Sequence, residues 1–183
     1  VSLSRREALR SAFALAFTVG GVETWLTPVQ ARAANADFRV LSPSEVATLE
    51  AFGETLLPGA REAGIAHFVD QQLATAAPDC LLMLRYLDIP PPYLEFYRPA
   101  LAALNACSKA AYEREFAALQ APQADELVGK LSHGAPAGWQ GPPAPLFFFV
   151  ARSDAVDVVY GTEEGFEKLG VPYMAHIMPP RKW

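Results

Sequence analysis

The sequence predicts an all-α fold: a small irregular helical bundle with an apolar, largely non-regular C-terminal tail. Three observations predict it. Apolar residues recur at helical spacing in successive segments between residues 43 and 160. Helix caps and Pro/Gly stops bound those segments. No strand alternation of useful length and no internal repeat interrupts them. The 183 residues, 51% hydrophobic and 19% charged, suffice for one domain with a proper core. A net charge of −5 without a Lys/Arg patch argues against nucleic acid as a partner. No apolar run is long enough to cross a bilayer alone.

Ser42-Pro43-Ser44-Glu45 offers an N-cap, a proline at the first helical position and a Glu three residues after the cap. Val46, Leu49, Phe52 and Leu56 then repeat at helical spacing, which predicts an amphipathic helix over residues 43–57, stopped by Pro58-Gly59. Ile65, Phe68, Val69 and Leu73 form a second short stripe ending near Pro78. Residues 79–88, with Cys80, Leu81, Met83, Leu84 and Leu87, suit a third helix closed by Pro90-Pro91-Pro92. The longest helix is expected over about residues 93–119, with Tyr97, Leu101, Leu104, Tyr112, Phe116 and Leu119 on its buried face. Pro99 should kink it or shift its start. Residues 123–131 read as a further short helix, and residues 132–145 as a Gly/Pro-rich loop around Trp139. Leu146-Phe147-Phe148-Phe149-Val150 opens a helix running to about Tyr160. Four consecutive bulky side chains cannot share one helix side, so this helix is either central or half-covered by something else. Residues 161–183 lack a sustained period yet hold Phe166, Leu169, Val171, Tyr173, Met174, Ile177, Met178 and Trp183. A tail this apolar must pack on something.

Residues 1–33 read as an export leader and residues 34–183 as the helical domain. Ser4-Arg5-Arg6 heads a weakly hydrophobic stretch from Ser11 to Val22, and Ala31-Arg32-Ala33-Ala34 supplies a small-residue cleavable end. The paired arginines Arg5 and Arg6 point to the twin-arginine route, hence to the periplasm, with the inner membrane reached through a complex or a retained leader. An amphipathic anchor helix with a basic first turn is the alternative, although Glu23 interrupts the run. The twin-arginine route carries folded cargo, which matters most when a cofactor is loaded before export. The mature chain spells out no obvious site for one.

Covalent haem attachment needs Cys-x-x-Cys-His, iron–sulfur clusters usually need four thiolates, and a di-iron bundle needs Glu-x-x-His pairs. The two cysteines, Cys80 and Cys107, meet neither thiol requirement, and no Glu has a His three residues later. Neither a dinucleotide or phosphate-loop glycine pattern nor a serine-hydrolase elbow occurs. His67 and Asp70, three apart, would share a helix face and could be two metal ligands if His133 or His176 completed the set. The plainer reading is a surface His beside a carboxylate. Cys80 and Cys107 fit either a disulfide in an exported protein or two small core residues. Trp139 could stack on a sugar, anchor an interface or lie as a lid over the core. Tyr93, Phe96 and Tyr97 read as core, and Glu163-Glu164 as a solvated turn. The chain is therefore read as non-catalytic, with a free metalloenzyme or a stand-alone ligand-binding protein as alternatives.

Leu57-Pro58-Gly59-Ala60-Arg61-Glu62-Ala63-Gly64-Ile65-Ala66-His67-Phe68-Val69-Asp70, directly after the Ser-Pro-Ser-Glu cap, resembles the small third subunit of gluconate 2-dehydrogenase-type complexes. The similarity continues through Ala110-Ala111-Tyr112, Gln123-Ala124-Asp125-Glu126-Leu127 and the Phe-rich helix leading to Tyr160-Gly161. Many such subunits read Tyr-Gly-Gly-Asn near the end, whereas this chain has Tyr160-Gly161-Thr162-Glu163, so gluconate itself is not carried over as the substrate. The resemblance implies a complex with a large flavoprotein of the glucose–methanol–choline (GMC) oxidoreductase type, commonly with a c-type cytochrome. FAD and haem c then belong to those partner subunits, and this chain holds no cofactor. It also implies that the flavoprotein leaves the cytoplasm folded, escorted on this chain's leader. Phe147, Phe148, Tyr160, Phe166, Tyr173, Met174 and Trp183 are the expected partner-facing residues.

Overall fold

The computed structural model describes residues 14–171. Helices carry most of them, as the sequence predicts. One departure comes at the start. Strands β1 (Leu15–Val19) and β2 (Val22–Leu26) form an antiparallel hairpin in which Leu15 faces Leu26 and Val19 faces Val22. Its two-residue turn is Gly20-Gly21, both at positive φ (56° and 80°), the backbone that suits the natural strand twist. Helix α1 (Pro28–Ala33) follows, opened by a Thr27/Gln30 capping box. Phe17, Ala31 and Ala36 make a small core of their own beneath this unit. The expected leader boundary after residue 33 thus falls inside a folded segment; residues 1–13, with Arg5 and Arg6, lie outside the described residues.

Helix α2 (Pro43–Leu56) starts at the predicted cap: the Glu45 N–H donates to Ser42 Oγ (3.4 Å) and the Ser42 N–H to Glu45 Oε2 (2.7 Å). It ends in a tight elbow held by the Glu54 carboxylate, which accepts the N–H groups of Gly59 (3.0 Å) and Arg61 (3.1 Å). Helix α3 (Ile65–Leu73) leaves that elbow from Gly64, whose φ of +84° lies in the left-handed region that favours glycine. Space forbids a side chain there as well, since a Cβ would lie 2.3 Å from the Pro28 carbonyl oxygen of α1.

The helix expected over residues 79–88 does not form. The 3₁₀ turns Ala77–Asp79 and Met83–Leu87 replace it. Side chains take two amides here: Leu81 N–H donates to Gln72 Oε1 (2.7 Å), and Met83 N–H, which a helix would bond internally, donates to Asp154 Oδ1 (2.8 Å). Helix α4 (Leu94–Tyr112) stops short of residue 119 because Glu113 turns left-handed (φ +59°). Asn105 Oδ1 then captures the Phe116 N–H at 2.9 Å, opening a 3₁₀ turn over Phe116–Ala118. Pro99 lies within α4 without ending it.

Helix α5 (Ala121–His133) and helix α6 (Ala144–Tyr160) complete the body, and the short α7 (Glu163–Lys168) packs on α6. Helices α2 and α6 are central: α2 touches α3, α4, α5 and α6, while α6 touches α2, α3, α4, α5 and the Met83–Leu87 turn. Their meeting point is Phe147, stacked on Phe52 at 4.9 Å between ring centroids and 11° between planes, with Tyr97 edge-on at 6.1 Å. Trp139 closes over the same ring at 6.1 Å and donates its indole N–H to the Pro142 carbonyl (2.7 Å), so the lid reading holds.

Candidate functional site

Three places on the described chain carry groups that could do more than pack. The first is sealed inside. Asp154 on α6 is fully buried and accepts hydrogen bonds from the Tyr97 hydroxyl and the Met83 N–H. Burial pushes its carboxyl up to about 7, against the pull of those two donors. The Tyr97 phenol is driven well above its ordinary value, first by burial and then by the Asp154 charge. Nearby, burial and Asp154 keep the Cys80 thiol protonated, so it is no thiolate nucleophile. With Cys80, Tyr97 and Asp154 all at 0% exposure, what the cluster does is pin the Met83–Leu87 turn between α4 and α6.

The second place is the polar side of α3. His67 and Asp70 do share a face, as their spacing predicts, but both are buried rather than at the surface. Asp70 is consumed structurally: its oxygens accept the N–H groups of Arg39 (2.7 Å), Val40 (3.0 Å) and Leu41 (2.8 Å). The His67 ring lies against Phe38 at 4.4 Å and edge-on to Phe17 at 6.3 Å. Neither ring nitrogen makes a well-formed hydrogen bond, and burial lowers its pKa against the smaller opposite pull of the Ala36 backbone, so it is held neutral. Beside it a cavity of about 370 Å³ is lined by Arg32, Asn35, Asp37, Phe38, Glu50 and His67. His133 sits exposed at the end of α5 beside Gly129 O (2.9 Å), and His176 lies outside the described residues. Among the described residues no three His, Cys, Asp or Glu side chains converge as metal ligands.

The third place is outside. On α6, Phe147, Val150, Ala151, Asp154, Ala155 and Val158 form the buried stripe. Opposite them, Phe149 (49% exposed) and Val156 (39%) stand seven residues apart on the outer side. Leu81 and Tyr86 are exposed by the turn that packs on one side of α6, and Leu169 and Val171 just beyond α7, which packs on α6 as well. The Arg85 guanidinium covers the Tyr86 ring at 5.6 Å. On this outer side Phe149 and Val156 lie either side of the exposed Arg152, so α6 offers a partner two apolar anchors around a charge.

This geometry corrects one expected partner contact. Phe147 is core, not surface, because the buried stripe of α6 runs through it; the exposed member of the Phe triplet is Phe149. Phe148, Tyr160 and Phe166 are half-buried, and Tyr173, Met174 and Trp183 lie outside the described residues. Leu81, which the sequence places only in the stripe of residues 79–88, is exposed, and Tyr86 and Val156 are not among the residues expected from sequence. For Val156 the signal existed, as the residue seven after Phe149 on the side opposite Asp154. Cys80 and Cys107 are separate buried free thiols, so of the two readings the core one applies and no disulfide joins them.

Fold and surfaces together define a mostly helical domain whose buried ionisable groups serve packing and whose helix α6 leaves Phe149 and Val156 exposed. The profile of the gluconate 2-dehydrogenase subunit 3 family matches residues 43–178, and the chain belongs to that family. No curated protein and no solved structure gives a significant match. By its name, the family supplies a subunit to a multi-subunit dehydrogenase.

Proposed function

We propose that this chain is a non-catalytic accessory subunit of a periplasmic, FAD-dependent sugar or alcohol dehydrogenase, and that it stabilises a GMC-type flavoprotein subunit and escorts it through twin-arginine export. The family match over residues 43–178 carries this reading. The outer side of α6 supports it by leaving Phe149 and Val156 exposed as anchors for such a partner. FAD and haem c are assigned to the partner subunits. A covalent haem needs paired thiols and a histidine in one short motif, and the two buried, widely separated cysteines here do not fit it.

The test is capture of the tagged chain from its own cells. A yellow, FAD-bearing partner with dehydrogenase activity is expected in the wild-type eluate. The double variant Phe149→Asp, Val156→Asp should lose it while keeping a wild-type far-UV CD spectrum and melting curve. Turnover of a sugar or alcohol by the isolated chain would overturn the proposal. So would a colourless capture from cells that make the dehydrogenase.

A further inference from the structure

We infer that residues 15–41 are a lasting part of the folded protein, docked in cis across the polar side of α3, and that this docking shields the Ala31-Arg32-Ala33 segment from proteolytic processing. The body supplies half of every contact. Asp70 takes the backbone of residues 39–41, and His67 takes the rings of Phe17 and Phe38. Gly64 leaves room for the Pro28 carbonyl. Glu50 and Glu62 both bind the Arg32 guanidinium, at 2.8 and 3.3 Å. Within the segment, the Asp37 N–H donates to the Thr18 carbonyl (2.8 Å), and Arg39 reaches the Ala16 carbonyl (3.1 Å) and Glu23 (3.9 Å), tying the hairpin to the strip that Asp70 holds.

A leader used only for transit needs none of these body residues. His67 and Asp70 are polar groups on a helix whose every residue from Ile65 to Gln72 is buried, and what covers them is this segment. A peptidase needs its site extended and accessible. Here Ala31 is fully buried inside the capped helix α1, and Arg32 is held by two carboxylates. Removing residues up to 33 would strip Phe17 from His67 and leave Glu50 and Glu62 without their arginine.

Two measurements on the full chain test this. In limited trypsin digestion, Arg32 and Arg39 should resist cleavage as long as sites in the body do. Phe17→Ala and, separately, Glu50→Gln each leave both tryptic sites in place, and each should speed cleavage at Arg32 by about tenfold or more. Wild-type cleavage at Arg32 as fast as in the variants overturns the inference. The second measurement is the intact mass of the chain recovered outside the cytoplasm. Residues 15–33 should be present in it, and a folded product starting at Ala34 overturns the inference. Retention of the chain inside the cell would count against the export reading alone, and digestion would still decide this one.

Discussion

Replacing Asp154 by Asn should abolish a pH-dependent loss of stability that the wild-type protein shows between about pH 4 and 7. The buried carboxyl titrates at about 7 in the fold against an ordinary value of 3.8. A raised carboxyl contributes stability fully below its unfolded pKa, because both states then hold the proton and the fold buries no charge. That contribution drains as pH rises past 3.8 and is gone once the folded pKa near 7 is passed. Roughly three units at 1.36 kcal/mol each give a swing on the order of 4 kcal/mol. Asparagine imitates the protonated acid: its carbonyl can accept the Met83 N–H while its amide donates to the Tyr97 oxygen. Urea denaturation of wild type and Asp154→Asn at half-unit steps from pH 4 to 8 measures the effect. Taking the difference between the two proteins cancels groups of opposite sign, such as Glu45, whose pKa is lowered in the fold. The wild type should lose stability relative to the variant as pH rises, most steeply below pH 7. A difference that stays flat across the range refutes the reasoning, because Asp154 would then titrate alike in the folded and unfolded chains.

Phe147→Ala should destabilise the fold by about 3–5 kcal/mol in the same assay, since it empties the contact between α2 and α6; Phe149→Ala, on the opposite side, should stay within about 0.5 kcal/mol. Ser42→Ala removes one half of the α2 capping box and should cost about 1 kcal/mol by urea titration, with partner capture unchanged. His67 is held neutral, so its contribution is present above pH 6.5 and is lost as pH falls below that value. His67→Phe should therefore blunt the acid-side loss of stability, and melting curves at pH 5 and 7.5 would show it.

Where local chemistry decided the structure, the sequence was legible. The Ser42–Glu45 box started α2 at the expected residue, and Pro58-Gly59 ended it. Long-range contacts decided the places where reading failed. The amides of Leu81 and Met83 are claimed by Gln72 and by Asp154, 71 residues away from Met83, and no window around residues 79–88 contains that information. The hairpin failed differently. Gly20-Gly21 between β-branched residues is a turn signal, and Thr27-Pro28-Val29-Gln30 repeats the logic of the Ser42 box. Both lie inside the stretch whose small-residue end also matches an export leader. The outer side of α6 was half legible: a Phe triplet must expose one member, but only the position of Asp154 and Val158 tells which.

That division of α6 links the interior to the surface through one rigid element. Phe147, Asp154 and Val158 fix the rotation of the helix about its axis, and this rotation alone decides that Phe149 and Val156 face outward. If the proposed flavoprotein docks there, a residue that never touches it can still control binding. Asp154 is the sharpest case, because it also accepts the Met83 N–H and so ties the Met83–Leu87 turn to the same helix. A substitution that frees Met83 should then weaken partner capture more than an equally destabilising change in α5. Loss of capture in strict proportion to global stability, whichever helix is changed, would show that α6 is not set by its inner stripe in this way.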